Sequence, residues 1–126
     1  MIALTVSLQV VPGCRDAFLA AIEENAERSF TDEPGCRYFD VVCDLADDHH
    51  FVFHEIYDDE AAVEAHRAAP HFRVWREAAA QYVVPGSQVN TLSRRLFHHS
   101  VGLMQVIRGT FRAYAGKYKN TGPFMY

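Results

Sequence analysis

No stretch of the chain approaches the roughly 18 consecutive apolar residues that a membrane-spanning helix needs, and "IALTVSLQV" follows Met1 without the basic flank of a secretory signal. A cytoplasmic protein with no membrane partner is therefore expected. Cysteine is scarce: Cys14, Cys36 and Cys43 fall in no CxxC or Cys/His zinc spacing. That argues against a disulfide framework and for idle thiols in a reducing compartment. Neither a Gly-rich nucleotide fingerprint nor an internal repeat or low-complexity tract occurs. Acid is missing altogether from residues 101–126, which carry Arg108, Arg112, Lys117 and Lys119, while residues 1–100 hold all 16 acidic residues against eight Arg; the whole chain has a net charge of −4. Four cations are too few to indicate a nucleic-acid surface, so no nucleic-acid partner is expected. The basic tail suits an acidic surface, its own or a partner's.

What is present describes one modest globular domain: 126 residues, 49% hydrophobic and 22% charged. "MIALTVSLQV" reads as a strand closed by the turn Val11-Pro12-Gly13. In "CRDAFLAAIEENAERSF", Phe18, Ala21, Ile22 and Ala26 lie at helical spacing opposite Glu23, Glu24 and Glu27, which predicts an amphipathic helix ending before Glu33-Pro34-Gly35. "CRYFDVVCD" and "FVFHEIY" read as paired strands joined by "LADDHH". Asp58 is the expected N-cap of a following helix, which Pro70 should split in two. Phe72, Trp75, Ala79 and Tyr82 continue its apolar stripe, and "QVNTLSRRLF" reads as a fourth strand.

Strand, helix, strand, strand, helix pair, strand is the plan of a ferredoxin-like α+β domain, an antiparallel sheet with helices on one face. The middle strands are apolar at both parities, with Phe39 and Val41 against Tyr38 and Val42, and Phe51 and Phe53 against Val52 and Ile56. One helical layer covers one face only, so a second copy should cover the other, making a homodimeric α+β barrel. Residues 1–100 form the expected domain and 101–126 a basic extension. In that extension Met104, Ile107, Phe111, Tyr114 and Tyr118 are spaced for a short amphipathic arm before an extended "NTGPFMY" end.

"EPGCRYFDVV", "FVFHEIYDDEAAVEAHRAAPHFRVW" and "RRLF" resemble the antibiotic biosynthesis monooxygenase superfamily over about residues 1–98. The resemblance implies a dimeric ferredoxin-like protein whose relatives include oxygenases of quinols and polyketide anthrones, haem-degrading enzymes and an isomerase of a phosphorylated signalling sugar. The haem-degrading pattern pairs an Asn on the first strand with a late His; here Val6 or Ser7 and Arg76 stand at those places, which disfavours haem. Glu55 in "HEIY", His66 and His71-Phe72 resemble the small quinol-monooxygenase-like and signal-isomerase-like members.

For such an oxygenase the residues suggest His66 as a proton acceptor near neutrality and Glu55 as its orienting partner or as a base in its own right. Phe53, Tyr57, Phe72 and Trp75 would pack a flat small aromatic substrate, with O₂ as co-substrate and no tightly bound metal or haem. Free reduced flavin from a reductase is compatible with this reading. His66 as a hydrogen-bonded core histidine, His71 as a helix-start residue and Trp75 as plain core are the structural alternatives. A metal clamp of His66 and His71 is disfavoured, since five residues turn two side chains about 140° apart on an unbroken helix. Arg95 is the expected anion holder, and Arg94 and Arg95 could otherwise pair with Asp40 and Asp44. Thr5, Ser7 and Gln9 could face either a cavity or a dimer interface. An isomerase of a phosphorylated sugar-like signal would need such a cation in the site, and a non-catalytic ligand-binding dimer would need neither His66 nor Glu55.

Overall fold

The computed structural model describes residues 1–101; the amphipathic arm and extended end expected of the tail lie outside the described residues. Met1–Arg95 form one compact unit, and residues 96–101 carry no regular secondary structure. The elements are β1 (Ile2–Gln9), α1 (Arg15–Asp32), β2 (Cys36–Cys43), β3 (His50–Tyr57), α2 (Glu60–Ala68), α3 (Pro70–Tyr82) and β4 (Val89–Arg94). The strands form one antiparallel sheet in the order β2-β3-β1-β4, the ferredoxin-like α+β arrangement that the element order predicts. Among the described residues no helix is long and apolar enough to cross a membrane.

Alternation along the two central strands decides which face is filled. Leu4, Val6 and Leu8 of β1 and Phe51, Phe53, Glu55 and Tyr57 of β3 are buried. Their register sets Leu4 opposite Glu55, Val6 opposite Phe53 and Leu8 opposite Phe51. The Phe18 ring of α1 lies 4.7 Å from Phe51 and 5.8 Å from Trp75 of α3. Each fully buried side chain of this size contributes roughly 1.5–3 kcal/mol. The inner stripe of α1 is Phe18, Ile22, Asn25 and Ser29. Ala21 and Ala26, expected on that stripe, are only half-buried. Two polar residues therefore sit on the inner face of α1, where the pattern of apolar residues alone points elsewhere.

The opposite face of the sheet carries Tyr38 and Val42, 48% and 40% exposed, beside half-buried Val52 and Ile56. Among the described residues no helix lies over it, because both β-to-β crossovers pass on the same side.

Pro70 divides the helical region as expected. Ala69 is extended (φ −70°, ψ 144°), and Pro70 opens α3 at a position that needs no N–H donor. The cap of α2 is Asp59 rather than Asp58: the Asp59 side chain accepts the Ala62 N–H at 2.8 Å. Asp58 is instead held by Arg37 through two bonds of 2.6 and 3.1 Å.

A second proline shapes the molecule at the end of α1. A residue before proline is excluded from the helical region, so Glu33 turns extended (φ −99°, ψ 112°) and leaves the helix. Gly35 then packs directly on α2: a Cβ there would lie 2.5 Å from the Ala62 Cβ. The Asp58 N–H donates to the Gly35 carbonyl at 2.9 Å, which ties this turn to the start of α2. Gly35→Ala should therefore force the turn and α2 apart and destabilise the fold by about 1–3 kcal/mol, read as a lowered Tm; an unchanged Tm would show that the contact is slack.

Candidate functional site

A cavity of about 660 Å³ opens between the sheet and the helices. Phe39, Phe53, Phe72 and Trp75 give it aromatic walls, and its buried polar groups are Asn25, Glu55 and His66. Arg67, Arg76, Gln88 and Asn90 also line it. The volume lies within the range of small-ligand sites.

His66 comes from the inner face of α2 and is almost fully buried. Its Nδ1 lies 2.9 and 3.1 Å from the two Glu33 carboxylate oxygens. Burial pushes the His66 pKa down, against the raising effect of its bond to Glu33. A neutral imidazole facing a carboxylate must donate through Nδ1, leaving Nε2 as the acceptor. That Nε2 lies 3.7 Å from Glu55 Oε1, too far for a hydrogen bond. The ring packs against Phe72 and Tyr57, with centroids 4.9 and 5.0 Å away.

Glu55 is the second buried ionisable group. Flanked by Leu4 on one strand and Phe39 on the other, it is stripped of water, and burial raises its pKa from 4.5 to about 7 although the Tyr57 bond pulls the other way. The Tyr57 hydroxyl donates to Glu55 Oε1 at 2.6 Å. Near neutrality the carboxyl thus exchanges its proton readily, which suits general acid or base chemistry.

The cavity gathers Phe53, Glu55, His66, Phe72 and Trp75 from the expected set, and leaves out Tyr57, His71 and Arg95. Tyr57 is fully buried and supports Glu55 from behind. Arg95 lies just past β4, where its guanidinium approaches the Met1 sulfur at 3.6 Å. Among the described residues neither Arg94 nor Arg95 pairs with Asp40 or Asp44; Asp44 bonds His50. Arg67 and Arg76 are the cations that line the cavity in place of Arg95. Ser7 bonds His50 and Gln9 bonds Asp47, so these polar side chains of β1 tie the sheet to the β2–β3 hairpin.

His71 also reaches Glu33, through its Nε2. The 140° separation expected of His66 and His71 therefore does not hold, because Pro70 restarts the helix with a new direction and turns the second ring back toward the first. Ligating atoms of Glu33, His66 and His71 all lie within 4.8 Å of one another, so among the described residues this trio, with His66 buried and the other two half-buried, could hold a metal ion. Asp47, Asp48 and His49 form an exposed group of the same kind.

Glu33 was the residue missed in the sequence, where "EPG" reads as a turn. The available signal was a misplaced charge: a carboxylate at a helix C-terminus opposes the helix dipole and calls for a compensating cation or donor. Asn25 was hidden by its polarity, since patterning searches an inner stripe for apolar residues.

A model of the antibiotic biosynthesis monooxygenase family matches residues 1–78. Among solved structures, a Nitrosomonas europaea protein carrying that family's name is 27% identical, with a TM-score of 0.72 over 77% of this chain and 100% of that one. A similarly named protein from Bacteroides thetaiotaomicron is 25% identical, with a TM-score of 0.72 over 80% and 94% of the two chains. Rv0793 from Mycobacterium tuberculosis, 22% identical with a TM-score of 0.71 over 79% and 98%, shares the fold. A search of curated proteins found no match.

The raised Glu55 pKa predicts a pH effect on stability. The folded state binds this proton more tightly than the unfolded chain, so the contribution is full below about pH 4.5 and is lost as pH rises toward 7. Glu55→Gln should therefore gain Tm relative to the unmodified protein between pH 5 and pH 8; a constant difference across that window would place the carboxyl at its ordinary pKa.

Proposed function

Because the chain belongs to the antibiotic biosynthesis monooxygenase family, we propose that it oxidises an electron-rich aromatic, a quinol or a polyketide-type anthrone, with O₂. The observation that carries this reading is the His66 imidazole. It is fixed by Glu33 at Nδ1, has a free acceptor at Nε2, and sits in a cavity walled by aromatic rings.

His66 Nε2 takes the proton of a bound phenol or enol. The resulting anion is rich enough in electrons to reduce O₂ without help from the protein, so the site's task is to orient the ring, remove the proton and tolerate the charge. An anthrone methylene loses two hydrogens and gains one oxygen atom, and the other oxygen leaves as water. All four electrons come from the substrate, so neither metal, haem nor flavin is required by the balance. Glu33 acts through His66: its carboxylate holds the ring in the productive tautomer and stabilises the imidazolium formed when the proton arrives, the logic of an acid-histidine pair. Glu55, close to its pKa at neutral pH, passes a proton to the reduced oxygen. Phe53, Phe72 and Trp75 sandwich the aromatic, and Arg76 offsets the charge of the anion.

The outer face of the sheet takes a second copy of the chain in this reading, giving a homodimer in which two sheets pack face to face. Tyr38 and Val42 lie on that face. The double variant Tyr38→Glu, Val42→Glu should be monomeric by light scattering at micromolar concentration where the unmodified protein is dimeric; a monomer in both would remove the second copy from the proposal.

Oxygen uptake with anthrone and naphthohydroquinone, above the rate of autoxidation, tests the reaction. His66→Ala should lower the rate by about 10²–10⁴-fold, the usual contribution of a general base. Added reduced flavin should leave turnover unchanged. Uptake equal to autoxidation for every substrate, or equal in the variant, would sink the oxygenase reading.

A further inference from the structure

Asn25 is a buried polar side chain with an unsatisfied oxygen. It lies on the inner stripe of α1 and is 3% exposed, yet its Oδ1 has no hydrogen-bond partner. A buried acceptor without a donor is costly and uncommon in folded proteins, and Asn is also a weak helix former in the middle of a long helix. Ser29, one turn further along α1, is likewise buried and unpartnered, but only Asn25 lines the cavity that holds Glu55 and His66. Arg67, Arg76, Gln88 and Asn90 also line the cavity, yet none of them donates to Oδ1. The unmet need of Oδ1 is directed at whatever fills the cavity.

We propose that Asn25 is a specificity-determining contact that accepts a hydrogen bond from a ligand hydroxyl other than the one that loses its proton, so that the site selects aromatics carrying two hydroxyls over their monohydroxyl ethers. This rests on the oxygenase reading of the same cavity. The assignment follows from donor and acceptor inventories. An ionising hydroxyl goes to the acceptor Nε2 of His66; Oδ1 can only accept, so it requires a second group that keeps its hydrogen. An ether or a carbonyl at that place could accept only from Nδ2 of a turned-over amide, and Oδ1 would again be left without a donor. Polar groups placed to satisfy a ligand hydroxyl discriminate strongly against analogues that lack it, because the site's own acceptor is then left unpaired.

The test is equilibrium binding, measured without O₂ so that it does not depend on turnover. Dihydroxynaphthalene isomers are compared with their monomethyl ethers by fluorescence titration, using the unmodified protein, Asn25→Leu and Asn25→Ala. The unmodified protein should bind at least one diol about tenfold more tightly than its ether. In both variants that ratio should collapse toward one, with the affinity for the ethers retained. Asn25→Leu, which replaces the unpaired amide by an apolar group of similar size, should leave the unliganded Tm unchanged or raised, as expected of a residue kept for binding and not for folding. Should Asn25→Leu fail to fold, Asn25→Ala carries the same comparison. No diol preference in the unmodified protein, or a preference that survives in a folded variant, would overturn the assignment. Diol-selective binding through Asn25 with no oxygen uptake would leave Asn25 in place and reject the oxygenase reading instead.

Discussion

The site depends on one carboxylate. Glu33 accepts from His66 and from His71 at once, and it comes from a third segment, the end of α1. Two broken helices and a turn are thereby joined at a buried point. A carboxylate at a helix C-terminus would ordinarily be repelled by the dipole; two imidazole donors reverse that penalty and give the charge a function. Without Glu33 the neutral His66 would be free to adopt either tautomer and either ring orientation. With it, one nitrogen is committed to the protein and the other to the cavity.

Two prolines make this junction possible. Pro34 ejects Glu33 from α1 and turns its backbone extended, while Pro70 restarts the second helix so that His71 swings toward Glu33. Gly35 lets the first of these turns lie against Ala62 of α2. The chemistry of the carboxylate and the imidazoles therefore rests on three backbone-special residues that never touch a ligand.

Electrostatics inside the cavity run against stability in the way active sites commonly do. Glu55 sits between Leu4 and Phe39 with its pKa raised, burial lowers the pKa of His66, and Asn25 keeps an unpaired oxygen. An apolar residue at any of the three positions would relieve the desolvation of a buried polar group. Three buried polar groups brought from α1, β3 and α2 to one cavity are better explained by a ligand than by folding. The aromatic walls serve both ends, since Phe53 and Trp75 pack the core through Phe18 and also line the cavity.

By itself the sequence determined the elements and their order, because strands and helices announce themselves through period-2 and period-3.6 alternation, and prolines and glycines mark where they stop. It was also enough to place Phe53, Glu55, His66, Phe72 and Trp75 on faces that meet, since each lies on a regular inner stripe or strand parity. Only the tertiary structure decided the partners. Glu33 lies 33 residues from His66 and 38 from His71, a separation at which no periodicity operates. The packing of α1 turned Asn25 inward, Tyr57 supports Glu55 from behind the cavity, and Arg67 and Arg76 line the cavity where Arg95 was expected. Local rules act over a few residues and fix which face a side chain occupies. Which group stands opposite is set by how the chain folds back on itself, and here that depended on the direction of two proline-defined turns.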